Sequence, residues 1–317
     1  MGDSTNRAFG AYGLILSSDR SRTGLGELDY IRAARRGELV RIRRGAFCEA
    51  SHWTTLTPRE RHVLRMRAVD AASAQQLVFR GFSAGALWGM PILDDWPPDV
   101  EVCGDQATGG RSAPGVRRRP LTPTQIEERD GLLVTSVAST TLDVVLESDF
   151  APAVATLDWA LWRKNAFRVS AADIRRELDA RNPRYRLRHA ESTVEFATDL
   201  SDSFGESMTR AVIHELGYPV PELQVRFTDR EGNMYVDYFW PSERKVGEFD
   251  GAAKYMRPGY SNGLAPGQIV WREKKREDRL RKQCNGVIRI IWSETRNPRL
   301  LDYQLREFGL RPTRSSR

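Results

Sequence analysis

The sequence has 317 residues, of which 40% are hydrophobic and 29% are charged. This length allows two or three domains, and this composition is typical of a globular chain rather than a disordered one. No apolar stretch approaches the ~18 residues of a membrane helix, so we expect no membrane partner. The N-terminus lacks the basic-then-apolar layout of a secretory signal, which predicts a cytoplasmic protein.

The formal net charge is +7, and arginines cluster in residues 32–44, 111–119 and 272–282. Basic clusters of this kind favour a polyanionic partner such as nucleic acid, with a solvated basic surface as the alternative for each cluster. The three cysteines and four histidines are scattered, so they form neither a disulfide framework nor a zinc site. Any bound metal is therefore expected to be a hard cation held by oxygen ligands.

Residues 1–50 form the first predicted domain, a short helix followed by a basic strand pair. Leu25, Leu28 and Ile31 recur at helical spacing, Gly37 stands where that helix would end, and Gly45 supplies a bend after an alternating stretch. This layout is typical of a winged helix-turn-helix, whose helix enters the major groove of duplex DNA. The alternative is a small helical cap with a basic surface. The expected DNA contacts are Arg32, Arg35 and Arg36 on the helix, with Arg41, Arg43 and Arg44 on the strand pair.

Residues 51–195 form the second predicted domain, an α/β segment without a recognisable catalytic pattern. Thr57 and Pro58 provide a cap and a first helical position for an amphipathic helix. Ser83 follows a Gly-Phe turn, but no histidine or acid stands at a spacing typical of a nucleophile elbow, so we expect a helix cap. The histidines of this segment are expected at the surface or at helix ends; they are His52, His62 and His189.

Residues 196–317 form the third predicted domain, with the element order α-β-β-β-α-β. The hydrophobic periodicity predicts a helix at about 203–216, strands at 222–228, 233–240 and 245–250, a helix at 270–283 and a strand at 286–292. Gly232 and Asn233 mark the first turn between strands, and Ser242 with Glu243 mark the second.

Two acids stand close together inside the apolar run that begins at residue 245. In a hairpin that turns at 242–243, residues whose numbers sum to 485 face each other, which places Asp237 opposite Glu248. Asp250 shares the face of Glu248, so we expect three carboxylates to converge. Such a cluster is destabilising unless protonation, basic side chains or a divalent cation relieves it. Because Mg²⁺ prefers oxygen ligands, we expect Asp237, Glu248 and Asp250 to hold Mg²⁺ or Mn²⁺.

Further catalytic candidates flank these strands. Glu206 opens the preceding helix, where it either complements the helix dipole or serves as a fourth ligand. Lys254 follows the acids, and Lys275 on the next helix is the alternative lysine. Carboxylates that hold a cation beside a lysine match phosphodiester hydrolysis, in which the lysine orients or deprotonates the attacking water. The same basic helix, or a merely solvated face of it, offers further expected DNA contacts at Lys274, Arg276 and Arg279.

The C-terminal part resembles the PD-(D/E)XK nuclease superfamily, most closely its very-short-patch-repair-like branch, through the stretches GESMTRAVIHELGYPVPELQV, YVDYFWPSERKVGEFDGAAKY, EKKREDRLR and GVIRIIW. The resemblance implies a restriction-endonuclease-like core with Asp237 and Glu248 as the motif acids of the second and third strands. This sequence has Asp250 where the superfamily usually has lysine, and Val236 where a proline usually precedes the first acid. The resemblance therefore implies that Lys254 or Lys275 takes the role of that lysine.

The upstream part resembles the AbiEi-type antitoxin and transcriptional-regulator family, through RRGELVRIRRGAFC, FRGFSAGALWGMPI, LLVTSVASTTLDVV and ATLDWALW. That resemblance implies an N-terminal winged helix and a cognate toxin as a partner, as in toxin-antitoxin pairs.

The expected fold class is thus α/β multidomain, with a winged helix, an α/β middle domain and a nuclease-like αβββαβ core. The first functional hypothesis is a magnesium-dependent endodeoxyribonuclease directed to double-stranded DNA by the winged helix. The second is an antitoxin-like autoregulator that keeps the nuclease-like core as an inactive scaffold. The converging acids favour the first hypothesis, whereas Asp250 and the antitoxin-like front half favour the second. A third hypothesis is an RNA-processing or toxin-binding adaptor.

Overall fold

The computed structural model describes residues 11–18, 26–104, 113–120, 125–251 and 266–313 as a mixed α/β protein. The chain divides into two compact units: unit 1 is Met1–Val144 with Arg176–Arg181, and unit 2 is Val145–Arg175 with Asn182–Arg317. The boundaries predicted at residues 50 and 195 do not coincide with this division, and the three-domain organisation stays a prediction. Within the described residues, no helix combines the length and apolar character needed to cross a membrane.

Unit 1 begins with a three-stranded sheet of order β1-β3-β2 and three helices. These elements are β1 (Ile15–Leu16), α1 (Glu27–Arg35), β2 (Leu39–Arg43), β3 (Ala46–Glu49), α2 (Ala50–Thr55) and α3 (Pro58–Asp70). Gly37, with φ +78°, ends α1 as predicted, and Gly45, with φ +76°, lies in the turn between β2 and β3. At the start of α3, Thr57 and Glu60 form the capping box that the sequence suggested in part.

Apolar clusters cover both faces of this small sheet. On one face Phe47 stacks on Tyr30 of α1, with ring centroids 5.5 Å apart. The other face carries Ala46, which packs with Leu64 of α3. The predicted apolar stripe of α1 is wrong at Leu28, whose exposed fraction is 66%, and Leu25 lies outside the described residues. Tyr30 and its apolar neighbours hold α1 against the sheet. A helix this short buries only the face that lies against the strands.

A five-stranded sheet of order β6-β5-β4-β8-β7 completes unit 1. Its elements and helices are β4 (Val78–Phe79), α4 (Gly81–Trp88), β5 (Val100–Gly104), β6 (Val116–Pro120), β7 (Ile126–Arg129), β8 (Leu132–Thr135) and α5 (Val137–Glu147). A buried ion pair crosses this region, since Asp143 accepts from Arg80 at 2.5 Å and from Arg181 at 2.5 Å. A carboxylate shared by two guanidinium groups can remain charged in an interior.

The remaining elements follow in chain order, and the division between the units falls within α5 and α7. They are α6 (Phe150–Leu161), α7 (Ala171–Arg181), α8 (Leu187–Phe196), α9 (Phe204–Glu215), β9 (Glu222–Asp229), β10 (Gly232–Trp240), β11 (Lys245–Asp250), α10 (Pro266–Arg281), β12 (Gly286–Ile291), α11 (Trp292–Thr295) and α12 (Pro298–Glu307). The predicted order α-β-β-β-α-β is confirmed between α9 and β12.

The sheet of unit 2 has the order β12-β11-β10-β9, with β11 and β12 parallel and the other pairs antiparallel. Tyr238 pairs with Gly247 and Phe239 pairs with Val246, so the predicted hairpin register is confirmed. On one side Leu280 of α10 is fully buried in an apolar cluster with Val246. This register places Asp237 of β10 next to Glu248 of β11, at the end of the sheet toward which β11 and β12 both run.

Candidate active site

Asp237 and Glu248 form the centre of the candidate site. An oxygen of Asp237, Oδ2, accepts the peptide N–H of Phe249 at 2.8 Å, which ties β10 directly to β11. The Glu248 side chain is 13% exposed. Burial raises the pKa of Glu248 above its ordinary value, and the charge of Asp237 raises it further, against the lowering effect of neighbouring arginines. The two carboxylates therefore interact, as the register predicts.

Arginines offset this repulsion. Arg276 of α10 places Nη1 2.5 Å from Oε1 of Glu248, and its Nη2 donates to the carbonyl oxygen of Tyr235. Arg289 of β12 lies 3.8 Å from Oδ2 of Asp250. It also bonds to the acids of α10, at 3.4 Å to Glu273 and 3.3 Å to Glu277. Basic side chains are thus the counter-charges that the structure shows for these acids.

The three carboxylates predicted to hold a metal ion have different partners. Among the described residues, no group of three or more histidine, cysteine or acidic side chains is arranged to hold a metal ion. Asp250 shares the strand of Glu248 but has Arg289 as its charge partner. The magnesium site at Asp237, Glu248 and Asp250 therefore stays a prediction. Of these three acids, Asp237 and Glu248 lie next to each other.

Glu206 occupies the first turn of α9 and is 3% exposed. Its carboxylate accepts from the Ser203 hydroxyl at 2.8 Å and from the Asp202 peptide N–H at 3.0 Å. The Gln224 amide of β9 adds a bond at 3.3 Å. Glu206 is therefore a first-turn acid that complements the helix dipole, as the sequence allowed, and it also links the helix to the neighbouring strand.

Gln224 has a backbone conformation that the sequence did not reveal. Its φ is +51°, in the left-handed region that side-chain-bearing residues rarely adopt. The β9–β10 ladder pairs Val236 with Val225 and Tyr238 with Leu223, and skips Gln224 and the residue opposite, Asp237. Such strained positions cost about 1–3 kcal/mol and cluster at functional sites. The irregularity supports a functional role for this end of the sheet.

Tyr238 lies behind the acids, with its hydroxyl donating to the backbone oxygen of Glu206 at 2.9 Å. Its pKa is raised well above the ordinary value, first by burial and then by the charges of Glu206 and Asp237. The phenol therefore stays protonated and cannot act as a base at neutral pH.

Lys275, the lysine candidate on α10, is not brought to the acids. Lys275 places Nζ 2.7 Å from Oε2 of Glu231, in the turn between β9 and β10, so the expectation that it reaches Glu248 is wrong in this structure. The neighbouring Arg276 occupies that position instead, because adjacent helical residues point in different directions. Lys254, the first lysine candidate, lies outside the described residues.

The basic face of α10 is largely paired. Arg279 binds Asp229 through two nitrogens, at 2.8 Å and 2.5 Å, and Arg276 binds Glu248. Of the three DNA contacts expected on this helix, Lys274 is the exposed one that forms no ion pair within the described part of the chain. DNA contacts by Arg276 and Arg279 would require them to leave these acids.

The arginines expected to bind DNA in unit 1 are mostly exposed. Arg32 lies 3.4 Å from Asp29, and Arg36 bonds to Glu38 at 2.6 Å and 2.9 Å. The remaining four form no ion pair with any residue that the structure describes; they are the exposed Arg35, Arg41 and Arg44 and the half-buried Arg43. A β-bulge between Arg41 and Arg43 interrupts the predicted alternation of β2.

A Ser–His pair in unit 1 was not expected from the sequence. Nε2 of His62 accepts the Ser83 hydroxyl at 2.9 Å, while Nδ1 donates to the Pro97 carbonyl at 3.0 Å. Both side chains are fully buried, so the expectation of a surface or capping histidine is wrong for His62. Burial lowers the pKa of His62 from 6.5 to about 4. Without exposure this pair cannot meet a substrate, and we interpret it as structural.

Parts of this chain resemble known proteins, although no protein-family model matches the sequence. Two uncharacterized Mycobacterium tuberculosis proteins, MT2308 of strain CDC 1551 and Rv2248 of strain H37Rv, are each 30% identical over 154 residues, or 46% of this chain and 56% of theirs. The chain thus spans about half the length of these relatives. The crystal structure of the RV2827C protein from the same species covers 61% of this chain and 73% of its own, with 16% identity and a TM-score of 0.39.

Proposed function

We propose that this protein binds duplex DNA through unit 1 and hydrolyses DNA phosphodiester bonds at the Asp237–Glu248 pair, with Mg²⁺ or Mn²⁺. The observation that carries this proposal is the charge pair itself. A like-charged pair on adjacent strands is destabilising, and burial of Glu248 adds to the cost. Uncharged residues at these two positions would avoid that repulsion. The presence of two acids at a strained end of the sheet supports chemistry there.

The donor chemistry fits the proposed cation. Asp237 and Glu248 offer carboxylate oxygens from neighbouring strands, which are the ligands that Mg²⁺ prefers. When bound, the cation supplies Lewis acidity toward the phosphate and lowers the pKa of an attacking water. The Phe249 peptide N–H fixes the orientation of Asp237. Arg276, which binds Glu248 in this structure, would be freed to contact the negatively charged phosphate.

The proton of the attacking water needs an acceptor. Tyr238 is excluded by its raised pKa, and Lys275 is held by Glu231. We therefore propose Lys254 as the group that orients or deprotonates the water. Glu206 would act on the other side of the strands, by fixing Gln224 against the irregular part of the ladder.

The finer architecture belongs to the same proposal. The element order from α9 to β12 supports a restriction-endonuclease-like core within residues 196–317. The helix α1 and the β2–β3 hairpin support a winged helix, with Arg35 on the helix and Arg41 on the hairpin open to DNA. Exposed guanidinium groups without acidic partners bind phosphates without first breaking an ion pair.

A second candidate function follows from the Arg276–Glu248 ion pair. In an inactive scaffold, an arginine that neutralises the acid permanently would be the expected arrangement. This observation favours an AbiEi-like antitoxin and autoregulator, which binds its operator and a cognate toxin without cleaving DNA.

Plasmid cleavage separates the two candidates. Full-length protein is incubated with supercoiled plasmid and Mg²⁺ or Mn²⁺, and we expect nicked or linear product. Glu248→Gln is expected to abolish cleavage and to retain DNA binding in a mobility-shift assay. Glu231→Gln, which changes an acid in the turn between β9 and β10 outside the proposed site, is the matched control and is expected to cleave. If the wild type binds duplex DNA but leaves supercoiled, linear, mismatched and single-stranded DNA intact with both metals, the autoregulator candidate holds.

A further inference from the structure

A basic cavity of about 530 Å³ lies in unit 1, away from the candidate active site. Arg43 and Arg44 from the end of the β2–β3 hairpin line it together with Arg65 of α3. The remaining wall is largely apolar and includes Val69 and Val100. Its volume is within the range of small-molecule sites, roughly 300–1,000 Å³.

Within the part of the chain that the structure describes, no acid neutralises the positive charge of this cavity. None of the described lining residues is acidic, and Arg43, Arg44 and Arg65 form no ion pair with a described residue. The partly buried Arg276 of unit 2, by contrast, has the carboxylate of Glu248 as its partner. Burial lowers the pKa of Arg65, and the nearby charge of Arg61 lowers it further. Like charges gathered without a counter-charge favour an anion.

The chemistry of the lining selects the kind of anion. Guanidinium groups are planar forks that bind phosphate oxygens through two parallel N–H donors. The apolar wall opposite suits the sugar or base of a nucleotide rather than a fully hydrated inorganic ion. We propose that this cavity binds the phosphate group of a nucleotide. This assignment goes beyond the proposed cleavage. The proposed function uses Arg43 and Arg44 only as DNA contacts, whereas the cavity adds Arg65 and a bound nucleotide.

Calorimetry on the full-length protein tests the assignment with AMP and adenosine, which differ only in the phosphate. We expect AMP to bind at least tenfold more tightly than adenosine. Arg65→Gln is expected to weaken AMP binding by about 10- to 100-fold, as for the loss of a charged hydrogen bond. Arg65→Lys keeps the charge but lacks the forked pair of N–H donors. We expect its affinity for AMP to lie between those of the wild type and Arg65→Gln, which would show that the loss in Arg65→Gln is not caused by misfolding.

Arg61→Gln is the matched control. Arg61 and Arg65 both lie over the Trp53 ring, at 5.3 Å and 5.7 Å, but only Arg65 lines the cavity. We expect the Arg61 variant to bind AMP within about threefold of the wild type, well below the loss from a charged hydrogen bond. Equal binding of AMP and adenosine, together with duplex-DNA affinity that is unchanged in Arg65→Gln, would overturn the proposal.

A mobility shift with duplex DNA distinguishes the source of the phosphate. If AMP binds and competes with DNA, the ligand is a free nucleotide that shares Arg43 and Arg44 with DNA. If AMP does not bind but Arg65→Gln weakens DNA binding, the phosphate belongs to the DNA backbone, which also supports the assignment. Arg41→Ala, whose side chain does not line the cavity, reports on DNA binding alone. Failure of DNA binding and failure of nucleotide binding therefore give different results.

Discussion

Arg276 of α10 reaches the carboxylate of Glu248 on β11, with Nη1 2.5 Å from Oε1. The acid is 13% exposed and the arginine 30% exposed, so water screens this pair only partly. The same guanidinium group bonds to the backbone of β10 at Tyr235. Arg276 therefore links the helix to both central strands and holds the site in a neutralised form.

Arg276→Gln is expected to destabilise the cation-free protein by about 1–3 kcal/mol, because Glu248 loses its ion-pair partner beside Asp237 and keeps only the more distant charge of Arg289. The same variant is expected to bind Mn²⁺ more tightly, since the guanidinium group that binds Glu248 is gone. Urea unfolding and calorimetry measure the two effects. Arg281→Gln is the control on the same helix, since Arg281 pairs with Glu277 at the surface. Weaker cation binding in the Arg276 variant would contradict the competition.

Asp237→Asn changes the other acid of the pair. The amide oxygen can still accept the Phe249 N–H, while the repulsion from Glu248 disappears, so we expect a gain of about 0.2–1 kcal/mol in the metal-free protein. We also expect Mg²⁺ to raise the melting temperature of the wild type, and we expect this rise to vanish in the variant.

Asp229→Asn is the contrasting variant, because Asp229 is paired with Arg279 rather than crowded by an acid. We expect it to lower stability and to keep the response to Mg²⁺. If Asp237→Asn and Asp229→Asn changed the free energy of unfolding in the same direction in metal-free buffer, repulsion would not be the dominant effect at Asp237.

The DNA interface is tested by arginines that differ in their partners. Replacing Arg41, Arg43 and Arg44 with alanine is expected to weaken duplex binding and to flatten its log–log salt dependence by about 0.9 for each phosphate that the variant no longer neutralises. Arg35→Ala is expected to cost more affinity than Arg36→Ala, because Glu38 already neutralises Arg36. Fluorescence anisotropy at several salt concentrations measures both. An unchanged slope in the triple variant would move the interface away from the hairpin.

His62 makes stability depend on pH. Because its pKa falls from 6.5 to about 4 on folding, the unfolded chain binds more protons between these values. The free energy of unfolding is therefore expected to rise with pH in this window, by about 1.4 kcal/mol per unit from this residue. The contribution is complete above pH 6.5 and lost as the pH falls toward 4.

Nuclear magnetic resonance measures this titration directly, since the chain has only four histidines. We expect one imidazole signal to titrate near pH 4 and to disappear in His62→Gln, whose unfolding free energy would show a shallower pH dependence. An imidazole at position 62 that titrates near its ordinary pKa would mean that the Ser83 contact opens to water.

The C-terminal half was largely predictable because its signals are local. Alternation with a period of two residues identifies β10 and β11, and the turn residues at 242–243 fix their register, so the opposition of Asp237 and Glu248 followed. The cap at Thr57 and the helix end at Gly37 are equally local, and both were confirmed.

The features that the sequence did not predict depend on contacts between residues far apart in the chain. Arg276 lies 28 positions beyond Glu248, and no spacing rule distinguishes it from Lys275 next to it. His62 and Ser83 are 21 positions apart on different helices, so their bond could not be read from a motif. The left-handed backbone of Gln224 had no signal either, because glutamine is not a residue that favours positive φ.

The bond between the Phe249 amide and Asp237 has a practical consequence. The amide proton of Phe249 is hydrogen-bonded to the carboxylate of Asp237, which we expect to bind a cation. Its chemical shift and exchange rate therefore respond to the charge state of Asp237. A single backbone resonance can therefore serve as an internal reporter of whatever occupies this end of the sheet. It would do so without a substrate, a label on the site or any measurement of turnover.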